Sequence, residues 1–290
     1  MTLNDTPLSL ESRVRRMHRE LSEAERKLAD VVLARQHELL GYTATELASL
    51  AGTSKSTAAR FFRRVGFADF EDFRQQLRQA QAQQSPLARM GRARRGDGLA
   101  QRFQTHLQND AQRLQALAQA VSEDQLEAAL QLLARARRVW VVGYRHSRVT
   151  AFYAQTLLAQ VRGDVQDLND AAGREADLLD GAGDKDLVLA VDFRRRSANL
   201  PRMLAAVRAT GAQVLLLTDA PGSALALQSQ LVLRCSASAP DGVFDSYVCA
   251  ISLVNFLASA LAARSRTSAR ARLESIERLH LALGDLEPQI

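Results

Sequence analysis

Two rhythms divide the chain. Up to about residue 80, apolar residues recur at helical spacing: Leu28, Val31 and Val32, then Leu47, Ala48 and Leu50, then Ala58, Phe61, Phe62 and Val65 at i, i+3, i+4, i+7. Beyond residue 99, two helical stretches (99–120 and 123–135) lead into short, unbroken apolar runs at 139–143, 165–168, 187–191, 213–217 and 231–234. Helical stretches near 147–161, 173–180, 198–210 and 244–263 alternate with these runs, and a last helix spans about 267–282. Unbroken apolar runs alternating with helices predict a mostly parallel sheet flanked by helices on both faces, joined by right-handed crossovers. Residues 81–98, "QAQQSPLARMGRARRGDG", have no apolar period and predict a linker with partly helical ends. The expected order is an all-α domain over 1–80, the linker over 81–98, and an α/β domain over 99–290.

Local signals sharpen the first domain. Ser22 with Glu25 forms a capping box, and Asp69 can cap one more helix. A helix over 45–51 is followed by Gly52, which permits a tight turn, and by Ser54, a good N-cap for a helix starting at Lys55. If Ala58, Phe61, Phe62 and Val65 face the core, then Lys55, Ser56, Ala59, Arg60 and Arg63 face outward. Short side chains at the helix start and long basic ones further along suit a helix N-terminus placed in a DNA major groove. An ordinary helical hairpin with a solvated basic face has the same spacing.

The composition is compatible with that role without requiring it. The 290 residues are 47% hydrophobic, enough for packed cores, and the formal charge of +6 permits a polyanionic partner. Cys235 and Cys249 match no metal or redox spacing and read as core thiols in a reducing cytoplasm. The N-terminus lacks a signal pattern, and the apolar stretch 248–263 is interrupted by Ser252, Asn255 and Ser259, so a buried helix is expected and no membrane span. No metal cluster, nucleotide fingerprint or nucleophile motif stands out, so neither metal nor cofactor is expected. Arg89, Arg92, Arg94 and Arg95 of the linker suit either phosphate contacts or a soluble hinge.

The segments "LSEAERKLADVVL", "ELASLAGTSKSTAARF" and "GFADFEDFR" together resemble the N-terminal domain of the RpiR family of bacterial transcription regulators, over roughly residues 18–78. The resemblance implies a DNA-binding helix-turn-helix. Lys55 and Arg60 would meet base edges, and Ser54, Ser56, Thr57 and Arg63 would hold phosphates of double-stranded DNA. One such domain covers little DNA, so a homodimer or higher homo-oligomer on a near-palindromic operator is expected.

The region from about 125 to 265 resembles the SIS (sugar isomerase) domain that completes such regulators. The family's pocket for a phosphorylated sugar or related metabolite is made by a G-x-G-x-S loop and a serine-rich S-x-S-G-x-S/T loop. In "VVGYRHSRVTA", Gly143 and Ser147 match, but Arg145 replaces the second glycine; Tyr144 and His146 complete the loop. In "LAVDFRRRSANLPRM", Asp192 stands at the first serine, Arg194 and Arg195 replace the S-G pair, Arg196 follows, and only Ser197 keeps its hydroxyl. Three arrangements are open: arginines from both loops clamp a small anionic metabolite (a sugar phosphate or carboxylate); Asp192 and Tyr144 pair with the arginines and fill the pocket; or the arginines are simply solvated. His146 and Glu175 suit proton transfer but equally an exposed histidine and a solvated glutamate. The expectation is a ligand-responsive regulator rather than an enzyme. An isomerase, and a DNA binder whose sheet domain only oligomerises, are the rivals.

Overall fold

A computed structural model describes residues 13–14, 17, 20–34, 39, 42–83, 85–90, 98–169, 172–220, 223–236 and 242–285. Arg92, Arg94 and Arg95 of the linker lie outside these residues. The chain forms two compact units, Met1–Ala93 and, apart from 222–224, Arg94–Ile290.

The first unit is helical. Ser22 starts α1 (Glu23–Ala34): its N–H donates to Glu25 Oε2 at 2.8 Å, and its Oγ accepts the Glu25 N–H at 3.3 Å. Helix α2 (Ala44–Leu50) begins one residue before the expected start because Thr43 and Glu46 form a second capping box. Gly52 takes φ +61 in the turn, where the Thr53 N–H reaches back to Ala48 O at 2.8 Å. Ser54 Oγ accepts the Thr57 N–H at 3.1 Å and opens α3 (Lys55–Arg64). Asp69 caps α4 (Phe70–Gln83) by accepting the Asp72 N–H at 2.8 Å. A five-residue helix, α5 (Pro86–Met90), lies within the segment expected to be linker. Leu28, Val32, Leu47, Ala58, Phe61 and Phe62 are fully sequestered, and Phe62 stacks on Phe73 with centroids 5.2 Å apart. Burial of each such phenylalanine is worth about 1.5–3 kcal/mol, so α3 is held by its apolar stripe and its outer face is free for other uses.

The second unit opens with α6 (Leu99–Ala120) and α7 (Glu123–Arg135), the latter capped reciprocally by Ser122 and Gln125. Five strands follow, β1 (Val139–Gly143), β2 (Val165–Asp167), β3 (Leu187–Asp192), β4 (Gln213–Thr218) and β5 (Leu231–Arg234). They form one parallel sheet in the order β2-β1-β3-β4-β5. The connecting helices are α8 (Ser147–Val161), α9 (Glu175–Leu179), α10 (Asn199–Ala209) and α11 (Ala224–Leu227), and the chain finishes with α12 (Val248–Arg264) and α13 (Arg266–Leu283). Alternation along the strands splits the core. Val139, Val141, Leu189 and Val191 pack with α8 and α12, and Trp140, Val142, Val188 and Ala190 pack with α10. Burial on both faces explains why the strands read as unbroken apolar runs.

The structure differs from expectation at three short segments. The helix expected over 173–180 is only α9, entered through a turn at 172–174; 242–247 precede α12 as irregular chain; and α11 was not anticipated. Among the described residues, no single helix is long and apolar enough to cross a membrane, and no group of three His, Cys, Asp or Glu side chains is placed to hold a metal.

Candidate functional site

The outer face of α3 carries Lys55, Ser56, Arg60 and Arg63, all exposed, with Ser54 exposed at its cap. Lys55 and Arg60 make no side-chain hydrogen bond or ion pair among the described residues, whereas Arg63 Nε bonds Ala59 O at 3.2 Å. Arg64, by contrast, is committed to the fold: its guanidinium holds Glu25 at 3.2 Å and Glu20 O at 2.6 Å. Thr57 does not share the face expected for it. It is buried, and its hydroxyl lies 2.9 Å from that of Ser54, so it tightens the cap instead of meeting solvent. Ser56 Oγ lies 2.7 Å from Ser54 Oγ, which leaves a short polar surface at the helix start.

The second candidate site is a corner of the sheet. Helix α8 leaves β1 toward one face and α10 leaves β3 toward the other, so the strand order reverses between these neighbours. A crevice outside the carboxyl ends of β1 and β3 follows from that reversal, and ligands of open α/β sheets bind at such points. The two arginine-bearing loops both start there, since Gly143 pairs in register with Val191.

Gly143 is required sterically: a Cβ there would sit 2.7 Å from Ser147 O and 3.2 Å from Ala151 Cβ. Its N–H donates to Asn169 Oδ1 at 2.9 Å. Ser147, expected to offer its hydroxyl to a ligand, is buried, and its Oγ accepts the Phe193 N–H at 3.1 Å. It therefore ties the first loop to the second. Tyr247, preceding α12, packs edge-on against Phe193 with centroids 5.5 Å apart and donates from its hydroxyl to Arg194 O at 3.3 Å. Burial pushes the Tyr247 phenol up to about 12, so it stays a donor at neutral pH. Tyr144 is half-buried, and burial together with nearby Glu175 raises its pKa.

The arginines divide into two groups. Arg194 Nε bonds Asp219 Oδ2 at 2.8 Å, Arg196 Nε bonds Asp192 Oδ2 at 2.9 Å, and Arg196 Nη2 also reaches Asp219 Oδ1. Asp192 is 3% exposed; burial pushes its carboxyl up to about 6, Arg196 works against that and neighbouring Asp219 reinforces it. Arg145 and Arg195 stand exposed, with no side-chain hydrogen bond or ion pair among the described residues. Arg145 holds φ +57, and His146 beside it is exposed at the start of α8. Ser197 accepts the Asn199 N–H at 3.2 Å, a local turn that leads into α10. Pairing of loop arginines with Asp192 thus occurs, but through Arg196 and without Tyr144. The principal partner is Asp219, which the sequence reading missed. It stands two residues beyond the fourth apolar run, and only the pairing of β4 with β3 brings it to the same carboxyl edge as Asp192.

A basic helix face on one unit and a loop-bearing corner of a parallel sheet in the other are the two features on which a DNA-binding regulator with a SIS domain would rest. Residues 8–84 match the helix-turn-helix domain of the rpiR family, and residues 132–260 match the SIS domain. The HTH-type transcriptional regulator HexR of Pseudomonas aeruginosa is 28% identical over 220 residues, 74% of each chain. The RpiR transcription factor from Sphaerobacter thermophilus, solved as its sugar isomerase domain, superposes with a TM-score of 0.56 at 26% identity, covering 59% of this chain and 96% of that one. The NanR protein of Vibrio vulnificus, solved in complex with ManNAc-6P, superposes with a TM-score of 0.57 at 22% identity over 95% of this chain and 99% of its own, a likeness of fold alone. The chain belongs to the RpiR family of transcriptional regulators.

Proposed function

We propose that this regulator's affinity for its operator is set by a small anionic metabolite, a sugar phosphate or sugar acid, bound at the carboxyl edge between β1 and β3. The observation that carries this reading is the pair of unspent guanidinium groups, Arg145 on one loop and Arg195 on the other, at a strand-order reversal where two loops meet. A fold neighbour that holds a phosphorylated amino sugar supports the ligand class. In this reading Lys55 and Arg60 meet base edges, while Ser54, Ser56 and Arg63 contact phosphates, in the cytoplasm. A homodimer on a near-palindromic operator is supported by apolar residues left exposed on α8 and α12, Val149, Phe152 and Phe256. The protein acts by binding, so effector and operator affinities are reciprocally coupled.

A second reading, a sheet domain that only oligomerises, is favoured by the pairing of Arg194 and Arg196 with Asp219 and Asp192. A thermal-shift panel of sugar phosphates, sugar acids and small carboxylates separates the two. A true effector at ~100 times its dissociation constant adds about 2.7 kcal/mol to the stability of the sheet unit. The first reading expects one class of anion to raise the melting temperature and Arg195→Ala to reduce the rise. A flat response across the panel favours the second reading.

A further inference from the structure

The ion pairs at the corner constrain how an acidic ligand enters. Arg194 and Arg196 project from the loop after β3, and Asp219 follows β4, the neighbouring strand. Asp219 bonds both guanidinium groups, and its side chain is only 5% exposed. Arg196 is also the ion-pair partner of Asp192, itself buried at the end of β3. Four residues therefore form one charge-balanced chain, Arg194–Asp219–Arg196–Asp192, at the carboxyl edge of β3 and β4, beside the β1–β3 corner proposed for the effector.

Resting on that reading, we propose that Asp219 is the internal counter-anion of the effector site: it competes with acidic ligands for Arg194 and Arg196, and such a ligand binds by taking both guanidinium groups from it. A ligand anion satisfies the same guanidinium donors that a carboxylate does, so the cost of the exchange falls on Asp219, which is left buried without these two partners. The same exchange removes the counter-charge from Asp192. The charged groups acting on Asp192 are Arg196 on its own loop, which bonds it at 2.9 Å, and Asp219 after β4. Thr218 donates to the Asp192 main-chain carbonyl, so it adds nothing to the compensation that Arg196 gives the carboxylate. With Arg196 drawn to the ligand, the remaining carboxylate charge and the burial both favour the protonated acid. Ligand binding is therefore coupled to proton uptake and strengthens as pH falls through neutrality. Asp219 also sets selectivity, because a neutral sugar gains nothing from displacing it.

Sulfate is a suitable probe, since it carries two charges and does not titrate near neutral pH. Calorimetric titration of the full chain with sodium sulfate at pH 7, in buffers of different ionisation enthalpy, counts the protons taken up. The expected result is a measurable fraction of one proton per sulfate, with Asp219→Asn binding sulfate at least fivefold more tightly. Asp167→Asn, which removes a carboxylate paired to Arg148 instead, should change affinity less than twofold. Equal sulfate affinity in the wild type and Asp219→Asn, or binding without proton uptake, overturns the counter-anion role and leaves the effector reading standing. No sulfate binding to either protein overturns both. Should Asp219→Asn fail to fold, the proton count on the wild-type chain decides the matter.

Discussion

Each end of β3 carries one buried aspartate, and the two are held in opposite ways. Asp186, just before the strand, is 1% exposed and receives Arg137 Nε at 3.0 Å, Arg137 Nη2 at 2.6 Å, Arg138 Nη2 at 3.2 Å and the Gly183 N–H at 3.0 Å. Burial alone would raise its pKa, but these bonds outweigh burial and hold the carboxyl well below the usual range. Asp192, at the far end, is 3% exposed, yet among the described residues its side chain is held by a single arginine shared with another carboxylate, and its pKa rises to about 6. Both carboxyls are closed to solvent, but Asp192 lies deeper in the protein and is less compensated, which separates a residue that fastens the sheet from one poised to change charge. The poised end is the carboxyl edge, where ligands of this sheet class bind.

That contrast predicts opposite responses to mutation and pH. Asp186→Ala should cost the most, about 2–3 kcal/mol at pH 7, because charge-assisted hydrogen bonds are lost while half-exposed Arg137 returns to water. A depressed carboxyl stabilises above its unfolded pKa and loses that contribution as pH falls. The gap between wild type and Asp186→Ala should therefore close below about pH 4 in urea unfolding curves. Asp192→Asn should do the reverse, by roughly 2 kcal/mol at most. A raised carboxyl binds more protons folded than unfolded, so its contribution is present below about pH 4 and lost as pH rises to 6. The variant should thus gain on the wild type between pH 4 and pH 7. Parallel curves for either variant would erase the distinction between the two ends.

Most of the fold was legible because burial on both faces writes parallel strands as apolar runs. The runs at 139–143 and 231–234 match β1 and β5, and those at 187–191 and 213–217 fall one residue short of β3 and β4 at Asp192 and Thr218. Those two residues are polar, which is why the apolar pattern stopped before the strands did. The first unit was legible for a different reason: capping hydroxyls and a phenylalanine stripe are local signals, and Ser22, Ser54 and Asp69 all cap as their spacing predicts. Thr43 escaped notice, though its T-x-x-E spacing matched that of Ser22. The corner was legible only in part. Gly143 and Ser147 could be aligned to a loop pattern, but the burial of the Ser147 hydroxyl depends on Phe193, 46 residues away. Asp219 acquires its role solely from the adjacency of β4 to β3, which no local spacing encodes.

The most direct test joins both units. An operator selected from random duplexes is titrated by fluorescence anisotropy with the full chain, with and without the anion giving the largest thermal shift. The parallel titration uses a variant carrying both Arg145→Ala and Arg195→Ala. The expected result is that the anion changes wild-type operator affinity at least fivefold, within the usual range of coupling energies, and changes that of the variant, which keeps Arg194 and Arg196, by less. Identical wild-type isotherms in the presence and absence of the anion would contradict it.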